Sequence, residues 1–316
     1  MMKKIDQHFH TTMSDWALTN EQVIDLAVQK WLYFSSVTEH DIVNTVFSTM
    51  AREVWIQSLE WVEISAFDTE IANKSLHITC YAQEFNWELI DILSNTRNWK
   101  IWKIIMQIDI LNKNWFNINY ADFITYFEKK WFDIRNLNNS HIAEYIYSIP
   151  ANIELVKRLS WVEMTYWDFI VRCLKTTWDF RDIWWTKVDK YEPTVYDVWR
   201  IAKENWYFLS LAHPNFTFKD DIKLFLDFIE EYRNVLNWIE INALASKIWV
   251  EVILITAKKY NMILTFWSDD HFVRDKKDEI HWILWEQNTY VSEWDIMENF
   301  KIFMLVINAA RSIKKS

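Results

Sequence analysis

The chemistry available to this chain lies in its histidines and a few carboxylates. His8 and His10 stand two residues apart in IDQHFH, at the end of the first predicted strand. At strand periodicity both side chains leave the same face and can share one metal ion. Asp15 follows in a turn, and His40 sits beside Asp41 in SVTEHD. Glu63 lies in EWVEIS, His77 in LHITCYA, His141 in NNSHIAEY and His213 in LSLAHP, and Asp269 precedes His271 in FWSDDH. His281 falls outside such a context. Taken alone, an imidazole such as His141 reads first as a structural residue. Gathered at strand ends, this many imidazoles and carboxylates form the donor set of a divalent-cation site. The carboxyl ends of strands are also where barrel enzymes assemble their sites.

The elements that must position these groups alternate between strand and helix. The pattern predicts strands at 4–9, 33–38, 58–64 and 76–81, with helices at 20–30 and 43–53. It predicts further strands at 207–212, 238–242 and 262–266, with helices near 194–204, 219–233 and 246–259. Repeated strand-then-helix units point to an α/β fold with a parallel sheet or barrel. Between the two halves, from about residue 90 to 192, the character turns helical, rich in Lys, Asn and aromatic residues. That block reads as an insertion or cap.

The composition holds one anomaly. The 316 residues include 22 tryptophans and no glycine, where average usage would give roughly 22 glycines. The tryptophans fall at punctuation points. Trp31 follows the amphipathic stretch TNEQVIDLAVQK, at the position past a helix end where glycine's freedom at positive φ is wanted. Trp206 repeats that pattern, Trp184-Trp185 occupy a polar loop, and Trp16 follows Ser14-Asp15 in a turn. Many or all of these tryptophans stand where glycine belongs, as happens when UGA, read as glycine in some bacterial lineages, is translated as tryptophan. A literal aromatic-rich binding protein is the alternative, with exposed indoles as an aggregation liability.

The motifs resemble the PHP (polymerase and histidinol phosphatase) family, within its stand-alone metal-dependent phosphoesterase branch. The family's D-x-H-x-H-T-x-x-S-D-G is matched by Asp6 to Trp16, its T-D-H-D by Thr38-Glu39-His40-Asp41, and its G-V-E-I-S by Trp61 to Ser65. Its L-A-H-P is Leu211 to Pro214, and its G-S-D-x-H is Trp267 to His271. Each glycine of those motifs is a tryptophan here. Three departures stand out. Glu39 replaces an aspartate and is not expected to be a ligand. Asn139-Ser140 replaces the Arg-Pro often found before the histidine matching His141, which removes one phosphate contact. Tryptophan at 16, 61 and 267 would crowd the site with rings.

The resemblance implies a distorted (β/α)7 barrel from 1–90 and 193–316, with a mostly helical cap at 91–192. It implies two or three divalent ions, manganese, zinc or iron. One would be held by His8, His10, Glu63 and Asp269, and Glu63 would bridge to a second held by His77 and His141. Asp15, His40 and His271 suit a third, with His213 either a ligand there or an acid for the leaving oxygen. The catalytic set would be Glu63, His213 and Asp269, acting through a metal-bridging hydroxide on phosphate esters of nucleotides or short oligonucleotides. A histidinol-phosphate-type phosphatase and a catalytically idle metal-binding module are the alternatives. Arg135, Arg158, Arg172, Lys175, Arg181 and Lys187 of the insertion read as phosphate contacts or as a solvated helical face.

The net charge of −10 argues against a long duplex nucleic acid as partner and is compatible with carboxylates around bound cations. No apolar run approaches membrane-spanning length. Cys80 and Cys173 show no metal spacing and suit buried thiols in a reducing cytoplasm. The start lacks the apolar region of a secretion signal, so a cytoplasmic protein is expected.

Overall fold

The computed structural model describes residues 4–15, 18–82, 84–175, 191–268 and 288–315. Asp269, His271, His281, Trp16, Trp184, Trp185, Arg181 and Lys187 lie outside the described residues, as does the Trp267 side chain. The chain divides into two compact units. One comprises Met1–Thr11, Trp16–Ser94 and Glu192–Ser316, and the other Thr12–Asp15 and Asn95–Tyr191.

The first unit is an α/β structure. Its described strands are β1 (Lys4–Asp6), β2 (Leu32–Ser35), β3 (Glu60–Asp68), β4 (Lys74–Ala82), β5 (Phe208–Leu211), β6 (Trp238–Asn242) and β7 (Ile263–Trp267). β1 and β2 pair in parallel, and the other five form a sheet in sequence order. Contrary to the expected all-parallel arrangement, β3–β4 and β4–β5 are antiparallel, and only β5–β6 and β6–β7 are parallel. For β3–β4 the reason is connection length. Only residues 69–73 join β3 to β4, too few for a crossover helix, so the chain must return as a hairpin. Asp68 closes that turn by accepting the Ile71 N–H at 3.1 Å and the Ala72 N–H. The β5–β6 and β6–β7 connections each carry a helix, Ile222–Tyr232 and Lys247–Tyr260, and return in parallel.

The two sheets touch along both margins. Gln7 N–H donates to Phe266 O at 3.3 Å, linking the end of β1 to β7. Isolated bridges join Phe34 to Gln57 and His40 to Glu63, linking the β2 side to β3. The core packs Phe34, Trp61, Tyr81, Trp238 and Phe303 against β3–β7. A second group, including Phe9, Val23, Ala27 and Phe47, lies under the helices Asn20–Gln29 and Thr45–Glu53. These helices start where the sequence says they should. Thr19 and Gln22 form a reciprocal capping box, and Asn44 caps the second through Phe47 N–H.

The second unit is helical. Helix Trp87–Lys113 leads the chain into it, and Tyr120–Glu128, Asn139–Tyr147 and Pro150–Ser160 follow, then Tyr166–Phe169 running into a π-helical stretch, Ile170–Lys175. It has its own core, with Phe116, Phe123, Phe127, Ile142 and Phe169 fully or nearly fully buried.

Helix ends account for six of the tryptophans. Trp31, Trp55, Trp115, Trp131, Trp161 and Trp206 all have left-handed backbones, with φ between 59° and 72°. They are six of the eleven described non-glycine residues with positive φ. All are well exposed, from 61% for Trp206 to 93% for Trp55. In four cases the next residue's N–H reaches back five positions: Ile56 to Ala51, Phe116 to Leu111, Phe132 to Phe127 and Tyr207 to Ala202. That is the Schellman termination, whose left-handed position is usually glycine. Asn261, a residue tolerant of this conformation, holds the same place after helix Lys247–Tyr260, with Met262 N–H bonded to Ala257 O. Trp61, Trp238 and Trp249 instead are buried in strands or a helix.

Candidate metal centre

Glu63 is the hub. It lies inside β3, fully buried, with five imidazoles from the first unit around its carboxylate. Oε2 is 2.8 Å from His40 Nδ1 and 3.5 Å from Nε2 of both His8 and His10. Oε1 is 2.9 Å from His77 Nδ1 and 3.0 Å from His213 Nε2. The His77 and His213 ring nitrogens are themselves 3.0 Å apart.

Each group arrives by a different route. His8 and His10 lie past the end of β1, which stops at Asp6, and not within a strand as the H-x-H spacing suggested. Their rings still reach one carboxylate oxygen, with centroids 5.2 Å apart. Glu63 and His77 sit within strands rather than at strand ends, because β3 and β4 form a long hairpin. In that hairpin Ser65 pairs with His77 and Glu63 with Thr79, so alternation puts Glu63 and His77 on one face. His40 is fixed by the bridge to β3, where Asp41 N–H donates to Glu63 O at 2.8 Å and Glu63 N–H to Glu39 O at 3.1 Å. Asp41 takes two bonds from Ser65, at 2.8 and 2.9 Å. Glu39 accepts from the Thr11 N–H at 3.1 Å, the Thr11 hydroxyl and Asn44 at 3.0 Å, a bracing role for the His10 loop.

His213 lies two residues past β5 with a left-handed backbone, φ 31° and ψ 60°. Such strain is held in place only where the surroundings over-determine it. Asp6, the first residue of the leading motif, accepts from the His8 N–H at 3.3 Å and from the Ser268 hydroxyl at 2.7 Å.

Sequence reasoning missed Glu240. It lies mid-strand in β6, fully buried, in WIEIN. Both its oxygens are 3.3 Å from His8 Nδ1, and it accepts from Thr79 Oγ1 at 2.7 Å and the Tyr81 hydroxyl at 3.2 Å. An isolated carboxylate in an apolar run was the available signal, since such a group needs buried partners.

The electrostatics follow from this crowding. Burial opposes charge on His8, but Glu240 and Glu63 outweigh it and raise its pKa to about 10. Burial pulls His77 down to about 4 despite Glu63. Burial works against ionised Glu63 as well, yet His40, His77 and His8 hold it well below the usual carboxylate range. A buried carboxylate ringed by imidazole nitrogens fits a cation. Two donor groups, His8–His10–Glu63 and His40–Glu63–His77, each have ligand atoms within 4.8 Å of one another.

Asp15 and His141 belong to the second unit, where Asn138 joins them. Asn138 Nδ2 donates to Asp15 at 3.1 Å, and His141 Nδ1 lies 3.0 Å from Asn138 Oδ1 and from its N–H. Arg135, one of the expected phosphate contacts, is spent on Asp133 at 2.6 Å.

Among known proteins, no family model matches the sequence. A solved structure from Bifidobacterium adolescentis, described as a metal-dependent phosphoesterase, superimposes with TM-score 0.67 and 17% identity, covering 95% of this chain and 96% of its own. An amidohydrolase from Chromobacterium violaceum, solved with sulfate and no metal, gives TM-score 0.68 and 17% identity over 94% and 96% of the two chains. The chain therefore shares the fold of these two structures. Among curated proteins, the phosphoribosyl 1,2-cyclic phosphate 1,2-diphosphodiesterase of Eggerthella lenta is 39% identical over 77 residues. That match spans 23% of this chain and only 28% of the relative's length. No helix among the described residues is long and apolar enough to cross a membrane.

Proposed function

We propose that this chain is a PHP-type phosphoesterase, a hydrolase that works with divalent ions. The observation that carries the reading is the convergence of His8, His10, His40, His77 and His213 on the buried carboxylate of Glu63. His8, His10 and Glu63 would hold one ion, and Glu63 with His40 and His77 a second. Asp269 belongs with the first set, and Asp15, His141 and His271 complete the others, as the family motifs imply. Such ions, manganese, zinc or iron, would activate water and neutralise phosphate oxygens. Glu63 would contribute a carboxylate oxygen to each of these two donor sets. His213, beside Glu63 just past β5, is placed to hold or pass a proton to a leaving oxygen.

The substrate class is a phosphate ester of a nucleotide or a short oligonucleotide. The sulfate in the Chromobacterium structure and the cyclic phosphodiester substrate named for the Eggerthella protein both favour a phosphate-sized oxyanion. The two sheets are taken as parts of one distorted barrel, since Gln7–Phe266 and His40–Glu63 join them at both margins. Cys80 and Cys173, both buried thiols, suit a reducing cytoplasm. The test is a chelator-stripped preparation assayed on nucleoside monophosphates, dinucleotides, a cyclic nucleotide and histidinol phosphate, with and without Mn²⁺, Zn²⁺ or Fe²⁺. Hydrolysis restored by metal supports the reading. Metal binding without turnover of any ester leaves a metal-binding module in its place.

The tryptophans, on the same footing, are read as glycine positions of the gene. Support comes from the six exposed left-handed helix ends and from Trp61. That indole is 1% exposed, its Nε1 has no hydrogen-bond partner among the described residues, and its ring centroid is 3.8 Å from that of Tyr81. Aromatic pairs usually sit about 4.5–7 Å apart. Reading the codons, or peptide masses of the natural protein, decides the matter. A UGG codon at most of the six helix ends would refute it.

A further inference from the structure

His8 uses its two ring nitrogens in opposite directions, Nε2 toward Glu63 at 3.5 Å and Nδ1 toward Glu240 at 3.3 Å. An ionised carboxylate only accepts, so the contact with Glu240 is a hydrogen bond only when Nδ1 carries the proton. In neutral His8, the Nε2 lone pair then faces the hub. The carboxylate is itself fixed, by Thr79 and Tyr81 from β4, whose hydroxyls lie 2.7 Å from one another. The same acid accepts the His213 N–H at 3.3 Å through Oε2, at the residue with the left-handed backbone. One side chain on β6 thus orients a ring beyond β1 and pins a turn beyond β5.

We propose that Glu240 is a positioning residue. It selects the Nδ1–H tautomer of His8, presents Nε2 to the metal, and holds the His213 turn against the site. Outer carboxylates of this kind raise ligand basicity and fix ring orientation, and losing one typically weakens metal binding about 10–100-fold. The inference deepens the metal reading above and rests on it.

The test uses the full chain and Zn²⁺ as probe, in competition with a chromophoric chelator. Glu240→Gln keeps the shape and can still accept from Thr79 and Tyr81, but its neutral amide is a weaker acceptor for Nδ1–H. Its Zn²⁺ affinity should fall about 10–100-fold with the far-ultraviolet circular dichroism unchanged. A second measurement needs no folded variant at position 240. In the Zn²⁺-loaded wild type, ¹⁵N-histidine NMR should show the His8 proton on Nδ1, with the signal assigned through His8→Gln. Wild-type affinity in Glu240→Gln, or a proton on Nε2 of His8, overturns the role of Glu240 alone. A wild type that binds no Zn²⁺ overturns the metal reading and this inference with it.

Discussion

Nδ1 of His40 lies 2.8 Å from Oε2 of Glu63, on a backbone bridge that ties the loop after β2 directly to β3. Side-chain and main-chain contacts coincide there, so the backbone bridge keeps His40 beside Glu63 independently of the carboxylate charge. Glu63→Gln should therefore keep the fold but lose the charge that two donor groups share. Metal-dependent hydrolysis should drop by more than about a hundredfold, beyond the usual loss of an outer partner. Steady-state assays with saturating Mn²⁺ check this, and turnover within tenfold of wild type would dismiss Glu63 as the shared ligand.

The same cluster predicts a stability effect. Ions that bind only the folded chain stabilise it by about 2.7 kcal/mol at a hundredfold excess over Kd. In a large domain that raises the unfolding midpoint by about 5–10 °C. Calorimetry of stripped and reloaded protein measures the shift. Glu63→Gln should respond to added metal far less than wild type, and equal responses would place the ions elsewhere.

Much of this was legible in the sequence, for a physical reason. Residues 20–29, 195–205 and 247–260 form helices where period and caps agree, and the H-x-H and V-E-I-S motifs carry chemistry in their own residue types. The β3–β4 pairing was not legible, because period-two alternation is the same in parallel and antiparallel strands and only the five-residue turn decides. Glu240 was not legible either. Its meaning lies in partners 161 and 232 positions away, Thr79 and His8. Trp31 and Trp206 were readable as positions just past helix ends, because a left-handed helix end is a local demand that follows directly on the end of an amphipathic stretch.

The second unit offers a pH test. Asp133 caps the short helix Ile134–Asn136 by accepting the Arg135 N–H at 2.9 Å. Burial would raise its pKa, but the side-chain and backbone hydrogen bonds from Arg135 hold it below the usual value. A folded pKa below the unfolded one contributes stability above the unfolded value, about 3.9, and loses it as pH falls through the folded value. Asp133→Ala should cost about 1 kcal/mol at pH 7. The gap should narrow at a second, acidic pH below the lowered folded value, where the wild-type carboxyl is protonated. Urea unfolding at both pH values reads it, and an unchanged gap would remove the charge from the account.

Glycine at the helix ends gives the last prediction. A side chain in the left-handed region costs about 1–2 kcal/mol from its β-carbon, and the extra freedom of glycine in the unfolded chain returns part of that. Trp55, Trp115 and Trp206 are 93%, 82% and 61% exposed, so their rings give little packing in return. Trp55→Gly, Trp115→Gly and Trp206→Gly should each stabilise the tryptophan-bearing chain by about 0.5–1 kcal/mol, adding nearly independently at separated sites. Trp249→Gly is the control. Its indole is buried in helix Lys247–Tyr260 and donates to Lys219 O at 2.9 Å. Glycine there should destabilise by several kcal/mol, about 3–5 for the cavity of a lost large aromatic. Denaturant midpoints of the four variants measure the contrast. Equal losses at all four positions would mean that the exposed indoles hold the helix ends by packing, and that glycine does not belong there.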